Sequence, residues 1–213
     1  MRYRILDLET VPHHQWAEPV KPDSRLKDPV KIEASIKEKT EEQADAFGLD
    51  PDCCRIVALG FHDVGYGDPT CYLMRDEFEE RHHLRMFWES YRQQYTKFVT
   101  FNGTRFDLPV LVMRSLYLDV PYPELNFAPA WKSDHLDLYE KLSLNGARKS
   151  VHSLKFYAKR MGFTTLDKVD GSQIAQLAKE EKWQAIEAHC LSDIGLTHAL
   201  ANRLGLLKIG VAA

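Results

Sequence analysis

Long apolar runs are missing from this sequence: nothing approaches the ~18 consecutive apolar residues that a membrane-spanning helix needs. Its start, Met1-Arg2-Tyr3-Arg4, also lacks the apolar core of a secretory leader. Cysteine is scarce. Cys53 and Cys54 are adjacent and so cannot form a C-x-x-C metal knuckle, and Cys71 and Cys190 are too scattered to complete a disulfide framework with them. Reduced thiols in a cytoplasmic protein without a membrane partner are the expectation. An excess of positive charge is absent as well: 28 Lys and Arg face 31 Asp and Glu, a formal net charge of −3. That excludes the broad basic field that coats a duplex, so a nucleic-acid ligand would be gripped locally, through a few phosphates. Repeats, low-complexity tracts and linkers are missing too, and the length suits one well-buried domain rather than two.

What the chain does have is a pair of acids at the end of its first strand. Tyr3, Ile5 and Leu6 give the opening stretch strand character, and it closes on Asp7 and Glu9. Alternate residues of an extended segment share a face, so both carboxylates point to one spot. Like charges that close repel unless a cation sits between them, and hard divalent cations such as Mg²⁺ take carboxylate oxygens. Chance acids on a solvated strand end are the plainer account of this dipeptide taken alone.

A proline-broken loop follows, and then a helix-favouring segment over 29–47 whose few apolar residues include Ile32, Ala34 and Ile36. It has too little apolar surface for a core helix and reads as a solvated arm inserted at about 22–50. Strands over 55–64 and 70–74 form a hairpin through the turn residues 65–69. Leu84, Phe87, Trp88, Tyr91 and Tyr95 recur at helical spacing, which predicts an amphipathic helix over 76–94. A strand over 97–101 leads to a helix over 106–118, with Pro109 tolerated in its first turn. Pro121, Pro123 and Pro129 exclude regular structure next. Helices are expected over 135–144, 151–161, 172–180 and 183–204. Early strands, late helices and alternation between them predict a layered α/β domain with a mixed sheet.

Two further stretches carry chemistry. Asn102-Gly103 turns the chain at a strand end and places Asp107 where a helix begins, in the region where ligands collect in open α/β sheets. Asp107 is equally a favoured N-cap. In the last helix Ile186, Cys190, Ile194, Thr197 and Ala201 make an apolar stripe. His189 and Asp193, four residues apart, stack along its flank. A carboxylate there is costly unless it is paired or bound to metal, and a local His189–Asp193 ion pair is the alternative.

Taken in order, the three stretches resemble the motifs of the four-acid (DEDD) 3′→5′ exonucleases, a superfamily with the ribonuclease H-like fold. Within it the chain is most similar to the stand-alone exonucleases related to the editing domain of family B DNA polymerases. Asp7 and Glu9 match the first motif, Asn102, Phe106 and Asp107 the second, and Asp193 the third. Lys27-Asp28-Pro29-Val30-Lys31-Ile32 with the charged helix after it, Asp50-Pro51-Asp52, His135-Leu136-Asp137-Leu138 and Ser153-Leu154 also look like that subgroup. The resemblance spans essentially the whole chain. It implies an α/β, ribonuclease H-like mixed five-stranded sheet flanked by helices, with residues 1–213 as a single exonuclease domain. One residue departs from the pattern. This branch carries Tyr four residues before the last Asp and the other branch carries His five before it, whereas His189 here stands four before Asp193.

The resemblance implies a phosphodiester hydrolase working with two divalent cations, Mg²⁺ or Mn²⁺, held by Asp7, Glu9, Asp107 and Asp193. Asp7 would touch both ions, Glu9 and Asp193 would complete the ion that activates water, and Asp107 would serve the leaving-group ion. His189, a competent base near neutral pH, would hold the water. Thr10, Asn102, Phe106 and Lys155 are the expected substrate contacts, with Asn102 at the terminal sugar or phosphate and Phe106 stacked under the last base. The implied partner is the 3′ end of a single strand, DNA ahead of RNA, in the company of replication or repair proteins. An exoribonuclease of the same superfamily and a 3′-end binding module that has lost turnover stay open as alternatives. A metal-independent pairing of His189 with Ser192 lacks a third, orienting group. Arg148, Lys149, Lys159 and Arg160 join Lys155 in a basic stretch that also reads as an ordinary solvated face. His13-His14 is expected at the site mouth and His82-His83 at a surface turn. Trp16 and Trp131 are loop tryptophans, available for stacking or for partial burial. Asp137 is either a supporting group or a helix-start residue.

Overall fold

Alternation of polar and apolar residues from Arg2 onward yields a long strand, β1 (Arg2–Pro12), in a computed structural model that describes residues 2–13, 20–91, 96–126 and 135–207. The other strands are β2 (Cys54–Asp63), β3 (Thr70–Leu73), β4 (Thr96–Thr100) and β5 (His135–Asp137). They pair in the order β3-β2-β1-β4-β5, so β1 is central. β1 runs antiparallel to β2 and parallel to β4; β2–β3 is antiparallel and β4–β5 parallel. This is the mixed five-stranded α/β sheet expected above. The helices are α1 (Pro29–Phe47), α2 (Glu77–Ser90), α3 (Asp107–Tyr117), α4 (Leu138–Leu142), α5 (Leu154–Arg160), α6 (Ile174–Lys179) and α7 (Trp183–Arg203).

The two faces of β1 enter different cores. Leu6 and Leu8 join Ile56, Phe87, Trp88, Leu108 and Leu111, a core roofed by α2 and α3. Ile5 packs on the other face with Val99, Leu138, Tyr157, Ile194 and Leu200. Val11 meets Val57, Ile174, Ile186 and Cys190 further along. Each such side chain contributes about 1.5–3 kcal/mol on full burial. Asp7 and Glu9 therefore interrupt an apolar stripe that α7 covers, and a register irregularity falls directly after them, between Glu9 and Thr10. α1 is largely exposed, begins with Pro29 behind an Asp28 cap, and is tied to β1 at its far end by Thr10 Oγ1, which donates to the Gly48 carbonyl. No helix among the described residues is long and apolar enough to cross a membrane.

Local pattern misplaces some boundaries. The expected helix over 135–144 is a three-residue strand followed by α4. His135, Leu136 and Asp137 pair with Phe98, Val99 and Thr100, and the sheet edge thereby overrides helical periodicity. Ser153 caps α5, which starts at Leu154 rather than at 151, and Tyr91 closes α2 short of 94. His82 and His83 lie inside α2 rather than at a turn, with the His83 ring stacked on Tyr72 at 4.9 Å. His14, Trp16 and Trp131 lie outside the described residues.

Candidate active site

β1 delivers Asp7 and Glu9, the first turn of α3 delivers Asp107, and α7 delivers His189 and Asp193. Asp107 is the first residue of α3 rather than its cap; Phe106 holds the cap position without a side-chain hydrogen bond. The N-cap account of Asp107 therefore does not apply, and its buried carboxylate is free to face β1, where backbone at Leu8 hydrogen bonds to it. α7 reaches the acids because β2 gives way: Gly60, opposite Asp7 in the sheet, leaves room for Cys190. His189 and Asp193 flank Cys190 on the same helix.

The carboxylates feel one another. Burial pushes the Asp7 carboxyl well above the usual range, and the charges of Glu9, Asp107 and Asp193 push it further. Glu9 is raised first by burial and then by Asp193 and Asp107. Burial lifts Asp107 to about 7, with Asp137 adding to it and backbone hydrogen bonds at Asp107 and Leu8 opposing. Asp193 is raised by burial, while His189 and Lys155 pull the other way. Four acids from three elements thus converge, and they are costly to ionise together.

Two donor sets lie here, each with its ligand atoms within 4.8 Å of one another: Asp7, Glu9 and Cys190, and Asp167, His189 and Asp193. The Cys190 thiol is pushed far up by a hydrogen bond with Cys71, by burial and by Asp7, and its soft sulfur suits a hard cation poorly. What remains is a set of carboxylate oxygens, the donors of hard divalent cations. Asp193 Oδ1 fits that chemistry: it is buried and has no hydrogen-bond partner among the described residues.

His189 is buried and its two ring nitrogens are both engaged. Nε2 lies 3.5 Å from Glu9 Oε1, and Nδ1 lies 2.7 Å from Asp167 Oδ2. The expected local His189–Asp193 pair thus gives way to a contact across 22 residues. Lys155 Nζ reaches the same Asp167 oxygen at 2.9 Å and also bonds the Val169 carbonyl. Burial works against ionisation of Asp167, but the hydrogen bonds from His189 and Lys155 hold its carboxyl down at about 2. Asp167 was missing from the residues picked out by sequence. An acid in a turn is ordinary chemistry, and no local signal marks one that closes onto a helix so far away.

The second motif is braced by β5. Asp137 accepts from the backbone N–H groups of Asn102 at 2.8 Å, Thr104 at 3.0 Å and Tyr139 at 2.9 Å, so it is both a support and a helix cap. Asn102 takes a left-handed conformation with φ 68°. At Gly103 an added β-carbon would lie 2.3 Å from Thr100 Oγ1, a close approach that only glycine permits. Beside the acids a groove of about 500 Å³ is lined by Glu9, Thr10, Gly48, Leu49, Phe106 and Ser172. Thr10 and Phe106, two of the expected substrate contacts, both line this groove. Lys155 is close enough to influence Glu9 and Asp193, yet its ammonium is engaged by Asp167 and Val169.

Residues 52–211 match the family described as a predicted 3'-5' exonuclease related to the exonuclease domain of PolB. The chain belongs to that family. The matched range includes Asp107, Asp167, His189 and Asp193, while Asp7 and Glu9 precede it. No curated protein matches the chain. Among solved structures, the family B DNA polymerase of the hyperthermophilic archaeon Pyrobaculum calidifontis is similar with a TM-score of 0.62 at 17% identity. The likeness covers 95% of this chain and 24% of the polymerase, so this member of the exonuclease family spans about a quarter of that enzyme's length. It shares the ribonuclease H-like fold of a polymerase exonuclease domain.

Proposed function

We propose that this chain is a metal-dependent 3′→5′ exonuclease that removes nucleotides from the 3′ end of single-stranded DNA in the cytoplasm. The observation that carries the reading is the convergence of Asp7, Glu9, Asp107 and Asp193, all with raised pKa, together with an Asp193 oxygen that has no hydrogen-bond partner among the described residues. Those four carboxylates would hold two divalent cations, Mg²⁺ or Mn²⁺, whose charge acidifies a water and neutralises the leaving oxygen. His189 presents Nε2 on the Glu9 side of the cluster, where it holds the water and accepts its proton. Phe106 lines the groove next to Glu9 and supports the terminal base by stacking, Thr10 from the same groove borders the sugar and phosphate, and Asn102, in the turn just before Phe106, is the further contact to the terminal sugar or phosphate. Lys155 contributes positive charge from behind Asp167 rather than by direct phosphate contact. Residues 1–213 act as one exonuclease domain in which the segment at about 22–50, with its exposed helix, is an insertion.

The test is release of mononucleotides from a 3′-labelled single strand in Mg²⁺ or Mn²⁺. Asp7→Ala should abolish it, and undiminished release from that variant removes the mechanism. Matched DNA and RNA oligonucleotides separate the deoxyribonuclease from an exoribonuclease.

A further inference from the structure

The four acids account for charge but leave His189 to be explained, because a ring that holds a water must be fixed in rotation and in tautomer. An imidazole attached by a single contact could turn either nitrogen toward the cluster. Here the ring is buried, and the carboxylate behind it is itself immobilised. Asp167 Oδ1 accepts from the backbone N–H of Val169 at 3.0 Å, and the Asp167 N–H donates to Thr165 Oγ1 at 3.0 Å. Lys155 Nζ and His189 Nδ1 then converge on Oδ2 at 2.9 and 2.7 Å. With the Lys155 ammonium and the His189 ring both at that oxygen, Asp167 serves there as an acceptor. His189 Nδ1 must therefore carry the hydrogen. In the neutral ring the remaining lone pair then belongs to Nε2, the nitrogen 3.5 Å from Glu9 Oε1.

We propose that Asp167 is a positioning residue that locks His189 in the Nδ1–H tautomer with Nε2 facing the carboxylate cluster, and that Lys155 keeps Asp167 in place. This rests on the exonuclease reading for its use, although the tautomer itself does not. The arrangement also separates the two donor sets. Asp167 already has a cation at Oδ2 in the form of Lys155, so it acts on the ring rather than joining Asp193 as a metal ligand.

The test has two arms. Nitrogen-15 spectra of histidine-labelled, metal-free protein report the His189 tautomer without substrate, and Nδ1–H is expected in the wild type. Asp167→Asn keeps an amide oxygen for Val169 but puts an amino group, in place of the anionic Oδ2, toward both the ring and the Lys155 ammonium, which has to move aside. The tautomer should then shift to Nε2–H. The second arm is steady-state hydrolysis of a 3′-labelled single strand, where kcat of Asp167→Asn should fall about 100-fold or more with KM nearly unchanged, the size of a misplaced general base. A wild-type spectrum showing Nε2–H overturns the proposal and needs no variant. Wild-type kcat in Asp167→Asn also overturns it while leaving the exonuclease reading standing. A wild type that hydrolyses nothing, with Nδ1–H observed, sinks the exonuclease reading and with it the catalytic use of the pair.

Discussion

Gly60 and Cys190 meet where β2 passes under α7: a β-carbon placed on Gly60 would stand 2.5 Å from Cys190 Sγ and 3.2 Å from Ile194 Cγ1. Neither atom can withdraw freely, since both residues are fully buried. Gly60→Ala should therefore push α7 off the sheet and carry His189 and Asp193 away from Asp7. Overpacking of this kind costs about 1–3 kcal/mol. Urea unfolding should show that loss, together with a fall in nuclease rate larger than the stability change explains. Wild-type behaviour in both would mean that α7 does not depend on this close approach.

The acids make stability depend on pH and on metal. A carboxyl whose folded pKa lies above its unfolded value holds its proton better when folded. Stability linked to it is complete below the unfolded value, about 4, and is lost as pH rises through the folded value. Asp107, lifted to about 7 chiefly by burial, places that loss between about pH 4 and 7, and Asp7, Glu9 and Asp193 act in the same direction. In chelator, the melting temperature should therefore decline across this interval. Mn²⁺ should restore it, with a gain at about pH 8 that exceeds the gain at about pH 5. Equal gains at both would separate cation binding from these four groups. Asp167 has the opposite sign: its contribution is present above its unfolded value and fades as pH falls through about 2.

Asp137 takes three backbone N–H groups, two of them from the turn that sets Asn102. Asp137→Ala leaves those donors without their acceptor, at about 1–3 kcal/mol for each one that stays dry. A loss of more than about 2 kcal/mol in denaturant unfolding is expected. Asp137→Asn, which retains an acceptor oxygen, should lose less. Equal stability of both variants and the wild type would show that the turn stands without β5.

Phe106 is half-buried and lines the groove beside Glu9. Stacking under a terminal base is worth about 1–3 kcal/mol. Phe106→Leu, which keeps apolar bulk against the core, should raise KM for a short oligonucleotide several-fold and spare kcat. A change confined to kcat would move Phe106 out of the binding step.

What could be seen in the sequence follows the reach of each interaction. Asp7 and Glu9 were legible because period-two alternation is local. The amphipathic spacing of α7 likewise brought His189 and Asp193 onto one flank. β5 escaped notice because its three residues are strand only by virtue of pairing with Phe98, Val99 and Thr100, a partnership made 37 residues away in each case. For Asp107 the sequence left a helix cap as an equal alternative, because capping is a common use of Asp at such a position, and the placement of Phe106 before it removes that alternative. The Asp167–His189 contact was invisible for the same reason as β5: turn composition carries no address for a distant partner.

The irregularity between Glu9 and Thr10 has a consequence for how this family can vary. One codon gained or lost between Ile5 and Glu9 would rotate an acid onto the greasy side occupied by Leu6 and Leu8 and undo the carboxylate cluster. The irregularity lies in β2, where Val57 is passed over, and β1 itself stays paired through Pro12 with Val11 in the core, so length changes are tolerated only past the end of the strand. Insertions and deletions in homologous genes should therefore spare the whole of β1, through Pro12, and gather beyond it.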